Sequence, residues 1–334
     1  MTRSFEILAI GNAIVDILAT SDESFLLRHG LAKGGMMLVD ESTSKRLYED
    51  MGSTTIVSGG SAANTIVGAA SFGIKSAFIG KVKADEAGHS FSHDIRKSGV
   101  HFDTAFATTG PATASCLILV TPDGERTMNT FLGACQNLSV DDIDEEKVRS
   151  SSILYLEGYL WDPPEAKKAF RRASDISHAA GNKVALTLSD AFCVDRYRDE
   201  FLDLMRSGSV DIIFANQHEL KSLYQTSDFE TALAALREEG VISAVTRSEQ
   251  GCLVVTREET LAVPAFPIDR LVDTTGAGDL FAAGFLAGVV RGLDLRESAR
   301  LGGLAAAEII QHFGARPQTN LKNLASENGI DLPA

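Results

Sequence analysis

The feature that most restricts the fold of this chain is the alternation of short, wholly apolar runs with segments of helical spacing. Ile7–Ile10, Ala77–Ile79, Ile153–Leu156, Val184–Leu188, Ile212–Phe214, Ala244–Val245 and Leu253–Val255 are such runs, and Gly11-Asn12 closes the first of them as a turn. Between several of them lie helical patterns, at Pro164–Ala180, Asp199–Met205 and Glu230–Glu239. A strand apolar on both faces must be covered on both, and parallel neighbours need a crossover. The pattern therefore predicts an α/β domain with a mainly parallel sheet and helices on its two faces.

Two stretches break the rhythm, at about 13–40 and about 101–133. The second contains Ser115–Val120, then Pro122-Asp123-Gly124, then Arg126–Phe131, which reads as a hairpin because Pro-Asp-Gly supplies the turn. These insertions predict a small β-sheet lid. No linker divides the 334 residues, so the whole of 1–334 is expected to be one domain that carries the lid.

Charge and composition exclude several function classes. The formal charge of −14, from 31 basic and 45 acidic side chains, opposes general nucleic-acid binding, which needs basic surface. The same balance permits a nucleotide site, because backbone N–H groups and one or two cations supply a local positive field. Cys116, Cys135, Cys193 and Cys252 form no C-x-x-C pair, which suits a reducing cytoplasm. The opening residues read as a first strand rather than a targeting segment. The longest apolar run, Leu280 to Val290, is too short to span a bilayer, so no membrane partner is expected.

The chemistry concentrates in Asp273-Thr-Thr-Gly-Ala-Gly-Asp279, which runs into the apolar LFAAGFLAGVV. A glycine-rich turn feeding a helix presents free N–H groups and the positive end of the helix dipole, and Gly276 and Gly278 let an anion approach the backbone. Asp279 would repel a phosphate bound there. The conflict resolves if Asp279 faces the other reactant, a hydroxyl whose proton it accepts, as phosphoryl transfer requires. Taken as Gly-Ala-Gly-Asp alone, Asp279 reads equally well as a helix cap.

The full heptapeptide resembles the signature of the ribokinase-like (PfkB) family of carbohydrate and nucleoside kinases. Gly11-Asn12 with Asp16 resembles that family's first substrate-binding turn, and Gly59-Gly60-Ser61-Ala62-Ala63-Asn64 its N-terminal signature. Gly80, Asp85 and Gly88 follow in order, and Asn216-Gln-His-Glu219 matches the N-x-x-E element. The resemblance covers essentially the whole chain. It implies a three-layer α/β/α domain with a β-sheet lid, and ATP with Mg2+ as phosphate donor. No G-x-x-x-x-G-K-[S/T] occurs, so a P-loop is excluded.

By this resemblance Asp279 is the base, and the N–H groups of Ala277, Gly278 and Asp279 form an anion hole after Gly276. Asp16 grips two acceptor hydroxyls with Asn12, Gly60, Ser61 and Asn64 around it. For Asn64 a loop or capping role is the alternative. Glu219 orders magnesium through water, and Asn216 supports the phosphates. Thr246, Arg247, Ser248 and Gly251 occupy the place of the nucleotide-ribose loop, with Ser248 where the family has glycine. Arg126 is either a lid residue reaching the phosphates or a solvated hairpin arginine. His312 and Gly314 lie where the adenine pocket closes, although a lone histidine is more often structural. Asp273 and Thr275 would belong to the monovalent-cation (K+) loop of some members. The resemblance leaves monomer and homodimer both open.

Two local likenesses favour the adenosine-kinase branch: GNAIVDILA, and Leu188–Cys193 with Phe192 at its centre, followed by DRYRDEFLDLM and Val210–Asn216. A purine needs flat apolar walls, which Phe131, Tyr159, Trp161 and Phe192 are candidates to form. The acceptor expected is the 5'-hydroxyl of adenosine, the alternative a ribose- or fructose-type sugar. A dinucleotide-binding oxidoreductase would need G-x-G-x-x-G after the first strand, where this chain has G-N-A-I-V-D. A non-catalytic nucleoside sensor is the remaining rival, kept open by Ser248.

Overall fold

A computed structural model describes residues 4–333. Its main sheet has eight strands in the order β13-β12-β11-β10-β9-β8-β1-β5. These are β1 (Phe5–Ile10), β5 (Ser76–Ile79), β8 (Ser151–Glu157), β9 (Lys183–Thr187), β10 (Ile212–Asn216), β11 (Ile242–Thr246), β12 (Cys252–Val255) and β13 (Thr260–Val263). All seven apolar runs of the sequence lie in this sheet. Strands β5 to β11 pair in parallel, and β12 and β13 add an antiparallel edge.

Side chains alternate across each strand, and two separate cores result. Ile7 and Ala9 of β1 face a core shared with helices Ser61–Ser71, Ala277–Val290 and Leu295–Ile309. Leu8 and Ile10 face the opposite core, with helices Pro164–Ala179, Ala191–Arg206, Gln217–Leu223 and Phe229–Glu239. The Ala277–Val290 helix is apolar all round and correspondingly buried, which explains why its sequence shows no amphipathic stripe.

The second sheet has the order β3-β7-β6-β2-β4, built from β2 (Ile14–Thr20), β3 (Met36–Leu38), β4 (Thr55–Gly59), β6 (Ala114–Val120) and β7 (Arg126–Phe131). The β6–β7 hairpin has the expected register, with Ser115 opposite Phe131 and Val120 opposite Arg126. Strand β4 lies outside both inserted stretches read from the sequence, so this sheet reaches further along the chain than 13–40 and 101–133. No described helix is long and apolar enough to cross a membrane.

In the main sheet the strand order reverses between β1 and β8, because β5 lies on one side of β1 and β8 on the other. In open α/β sheets a crevice opens outside the carboxyl ends of the strands at that point. Gly11-Asn12 and Glu157 sit there.

Candidate active site

The helix Ala277–Val290 begins at Gly276, whose φ of 80° is left-handed and suits glycine. Asp279 lies in its first turn. Its carboxylate accepts from Ser61 Oγ at 2.6 Å and from Asn64 Nδ2 at 2.9 Å. The structure thus joins two motifs 215 residues apart, GGSAAN and DTTGAGD, on one carboxylate. Burial raises the Asp279 pKa, against the Ser61 and Asn64 hydrogen bonds and the Arg316 charge. A carboxyl whose pKa is raised and which two donors hold at a helix N-terminus is a better proton acceptor than an ordinary aspartate. No Asp279 side-chain capping bond is formed at this terminus, so the cap alternative finds no support.

Asn64 has an unspent acceptor. Its Oδ1 is buried without a hydrogen-bond partner among the described residues. Asp16, on β2, faces the same cleft: burial pushes its pKa up to about 6, opposed by Arg316 and Arg126 and assisted by Asp279. Gly60 is the turn that brings β4 onto the Ser61–Ser71 helix. Its φ is 102°, and a Cβ there would lie 2.2 Å from the Asn12 carbonyl oxygen, so no other residue fits.

Asn12 is placed differently from the expectation. It is buried, and its side-chain amide donates to Glu157 Oε1 at 2.7 Å rather than lying open to an acceptor. The aromatic wall also changes. Trp161 is fully buried, packed at tilted angles against Phe170 and Phe201, with its Nε1 donating to Glu200 at 3.0 Å. Phe131 pairs with Ser115, whose hydroxyl meets Ser44 of the outer helix Glu41–Asp50, so Phe131 belongs to the lid's outer face. Phe192 is 64% exposed beneath the Arg196 guanidinium, 4.5 Å from its ring centre. Tyr159 is 38% exposed, and its hydroxyl pKa is raised by partial desolvation and by the charges of Asp190, Asp279 and Glu219, which puts it within electrostatic reach of the cleft.

The second sheet places a set of apolar residues on the same face as Asp16. Asp16 pairs with Cys116 and Cys116 with Thr130, so by alternation Ile14, Leu18, Ile118 and Met128 share the Asp16 face. Met36 pairs with Met128 and Leu38 with Thr130, which carries this face to the β3 edge. Met36 and Leu38 are exposed at 50% and 54%.

Asn216 and Thr246, both expected on the nucleotide side, are register partners at the carboxyl ends of β10 and β11. The N-x-x-E element is a reciprocal capping box: Asn216 Oδ1 accepts from the N–H of His218 and Glu219, and Glu219 accepts from Asn216 N at 3.0 Å and Nδ2 at 2.5 Å. Glu219 is buried, which pushes its pKa up to about 7. Among the described residues no cluster of three His, Cys, Asp or Glu could hold a metal. Mg2+ would then be carried by phosphates and water, which its reluctance to dehydrate favours; both Glu219 oxygens already accept from Asn216, so this carboxylate would meet those waters only through its remaining lone pairs.

Ser248 has φ 52°, in the left-handed region, which accounts for glycine at this place in the family pattern. Loop geometry is kept at a cost in strain. Gly251 closes the loop at φ 78°, and Arg247 lies over the Phe229 ring, bonded to Gln250. His312 is engaged structurally, with Nε2 3.1 Å from Glu308 Oε1.

Arg126 is neither solvated nor free. Its Nη2 lies 2.7 Å from Asp273 Oδ2, and its Nη1 donates to Thr275 Oγ1 at 3.4 Å. Asp273 Oδ2 also accepts from Gly314 N at 3.0 Å, and Oδ1 takes the N–H and hydroxyl of Thr275. A guanidinium already neutralises this carboxylate, so a monovalent cation does not fit at Asp273. Exchanging K+ for Na+ or tetramethylammonium at constant ionic strength is expected to leave turnover unchanged within assay error; a steep K+ requirement would show that Arg126 vacates Asp273.

Two residues of the site were missed in the sequence. Glu157 ends β8 and is buried against Asn12 and Ala62. Arg316 donates to the carbonyls of Ser58 and Ala63, and burial brings its pKa down to about 10 beside Asp94, Asp16 and Asp279. A carboxylate closing an apolar strand run was a usable signal for Glu157. Arg316 had none.

Residues 36–322 match the pfkB family of carbohydrate kinases. This chain belongs to that family. It is 50% identical to the solved adenosine kinase from Sinorhizobium meliloti, with a TM-score of 0.91 over 97% of this chain and 99% of that one. It is 49% identical to the probable sugar kinase protein from Rhizobium etli CFN 42, with a TM-score of 0.92 over 99% and 100% of the two chains. The adenosine kinase of Saccharomyces cerevisiae is 27% identical over 92% of this chain and 95% of its own length. The fold is accordingly ribokinase-like, and the chain is a phosphotransferase acting on a hydroxyl of a sugar or nucleoside.

Proposed function

We propose that this pfkB-family kinase transfers the γ-phosphoryl group of ATP to the 5'-hydroxyl of adenosine. The observation that carries the reading is the joint placement of two carboxylates. Asp279 is held by Ser61 and Asn64 at a helix N-terminus, and Asp16 stands beside the apolar face of the second sheet. Asp16 and the unspent Asn64 Oδ1 accept the ribose hydroxyls, and Leu18, Met128, Met36 and Leu38 offer the base an apolar surface. A small sugar would leave that surface uncovered.

Asp279 accepts the proton of the attacking hydroxyl. The new O–P bond forms as the bond from the γ-phosphorus to the β,γ-bridging oxygen breaks, and ADP leaves. The N–H groups of Ala277, Gly278 and Asp279 meet the charge on the migrating group. Mg2+ bound to the nucleotide would neutralise phosphate charge, with Glu219 ordering its waters. The second sheet acts as a lid that excludes water from the transfer. Such an enzyme serves purine salvage in the cytoplasm.

The sugar alternative is favoured by one observation: Asp16 and Asn64 would serve any vicinal diol. ADP production measured with adenosine, inosine, guanosine, ribose, fructose and fructose phosphates separates the two. Fast turnover confined to adenosine is the expected result. Fast turnover with a sugar and none with adenosine overturns the acceptor and leaves the phosphoryl chemistry standing.

A further inference from the structure

The chain passes between the main sheet and the second sheet at two adjacent crossings. It leaves β1 for β2 through Gly11, Asn12 and Ala13, and returns from β4 to the Ser61–Ser71 helix through Gly60. Glu157, the last residue of β8, lies against both. Its Oε1 accepts from Asn12 Nδ2 at 2.7 Å, and its Oε2 accepts from Ala62 N at 2.8 Å and Asn12 N at 3.3 Å. The side chain is 1% exposed. The fit leaves no slack: a Cβ on Gly11 would lie 2.4 Å from Glu157 Oε2.

We propose that Glu157 is a positioning residue that clamps these two hinges together, setting the acceptor half of the site through Asn12 and Ala62 without touching the acceptor itself. The consequences run along the chain in both directions. Ser61 and Asn64, which hold Asp279, flank Ala62 in the first turns of its helix. Asp16 lies four residues beyond Asn12 on β2. One carboxylate therefore sets the spacing between the group proposed to take the proton and the group proposed to hold the acceptor. Three converging N–H donors require a group with acceptors only, which an ionised carboxylate is. Glutamine has a single acceptor oxygen and would turn an NH2 toward one of the donors.

The clamp also has a protonation state. Burial pushes Glu157 up to about 7, Asp279 adds to that, and the bonds from Ala62 and Asn12 oppose it. The other titratable groups sensing it are Tyr155 and Tyr159, Cys135 of the Gly133–Asn137 turn and Cys193 of the Ala191–Arg206 helix, whose own pKa values are raised and which stay neutral here. Protonating Glu157 puts a donor among donors and loosens both hinges.

Hydrogen exchange on the wild-type protein tests the clamp without a variant. Corrected for the intrinsic rate, protection of the Asn12 and Ala62 amides is expected to fall as pH drops through about 7, while Leu8 inside β1 keeps its protection. Constant protection at Asn12 and Ala62, or an equal loss at Leu8, overturns the proposal. A second arm rests on the adenosine reading and uses adenosine and ATP. Glu157→Gln is expected to raise the adenosine KM about tenfold or more, with the ATP KM little changed, because a charged hydrogen bond is lost on one side of the cleft only. The variant should also lose the part of the wild-type decline of kcat/KM centred near pH 7, keeping the part near pH 6 that belongs to Asp16, since it mimics the protonated form at every pH. An unchanged adenosine KM and pH profile counts against the clamp. If adenosine is not turned over, the exchange result still decides the hinge question, so the two readings fail separately.

Discussion

Replacing Asp279 by asparagine is expected to lower turnover by about 10³-fold or more, equivalent to about 4 kcal/mol of transition-state stabilisation, while the protein folds and binds its acceptor as before. The side chains are isosteric, and the asparagine carbonyl can still accept from Asn64 Nδ2. Rotation of the Ser61 hydroxyl accommodates the new amide. The sign of the stability effect follows from the raised carboxyl. The folded state binds the Asp279 proton more tightly than the unfolded chain, so ionisation as pH rises costs stability. Asparagine never ionises, and the variant should be at least as stable as wild type above the folded pKa. The measurements are kcat from ADP release, acceptor Kd by calorimetry and Tm. Turnover within tenfold of wild type would falsify the assignment of Asp279 as base.

Replacing Asp16 by alanine should act on binding rather than on chemistry. A carboxylate accepting two hydroxyls makes two charge-assisted hydrogen bonds, each worth about 1.5–3 kcal/mol, so the acceptor KM is expected to rise about 10²-fold or more. The ATP KM should stay near wild type, because Asn216 and Thr246 lie at the other strands' ends. Asp16 predicts a pH effect as well. Burial holds its pKa at about 6, and below that pH the protonated carboxyl donates where it should accept. The wild-type acceptor KM should therefore climb as pH falls through about 6, a slope the alanine variant lacks. Equal acceptor KM values for the two proteins would remove Asp16 from the acceptor site.

Much of the architecture was legible in the residues because burial writes itself into local pattern. The parallel strands are covered on both faces, so each appears as a continuous apolar run, and all seven runs became strands of one sheet. The lid strands were harder. Thr55–Gly59 is half exposed and Met36–Leu38 is three residues long and about half exposed at every position, so neither carries the apolar signature that marks a core strand. The heptapeptide from Asp273 to Asp279 was legible for another reason: glycine at a helix start and a carboxylate in its first turn are chemistry encoded within seven residues.

What the sequence determined by itself was the layered α/β domain, the glycine-rich helix start, the acidic residue within it, and family membership. What only the tertiary structure decided was who meets whom. Asn64 reaches Asp279 across 215 positions, Glu157 reaches Asn12 across 145, and Arg316 reaches Ser58 across 258. The aromatic residues show the same limit from the other side. Trp161 and Phe131 have the composition of a purine wall, yet one packs into the core and the other alternates to the outer face, while apolar lid residues share the face of Asp16. Local pattern reports how much of a side chain is buried and on what period. Its partner is set by strand order and by which face of a sheet each register presents, and those follow from the packing of the whole chain.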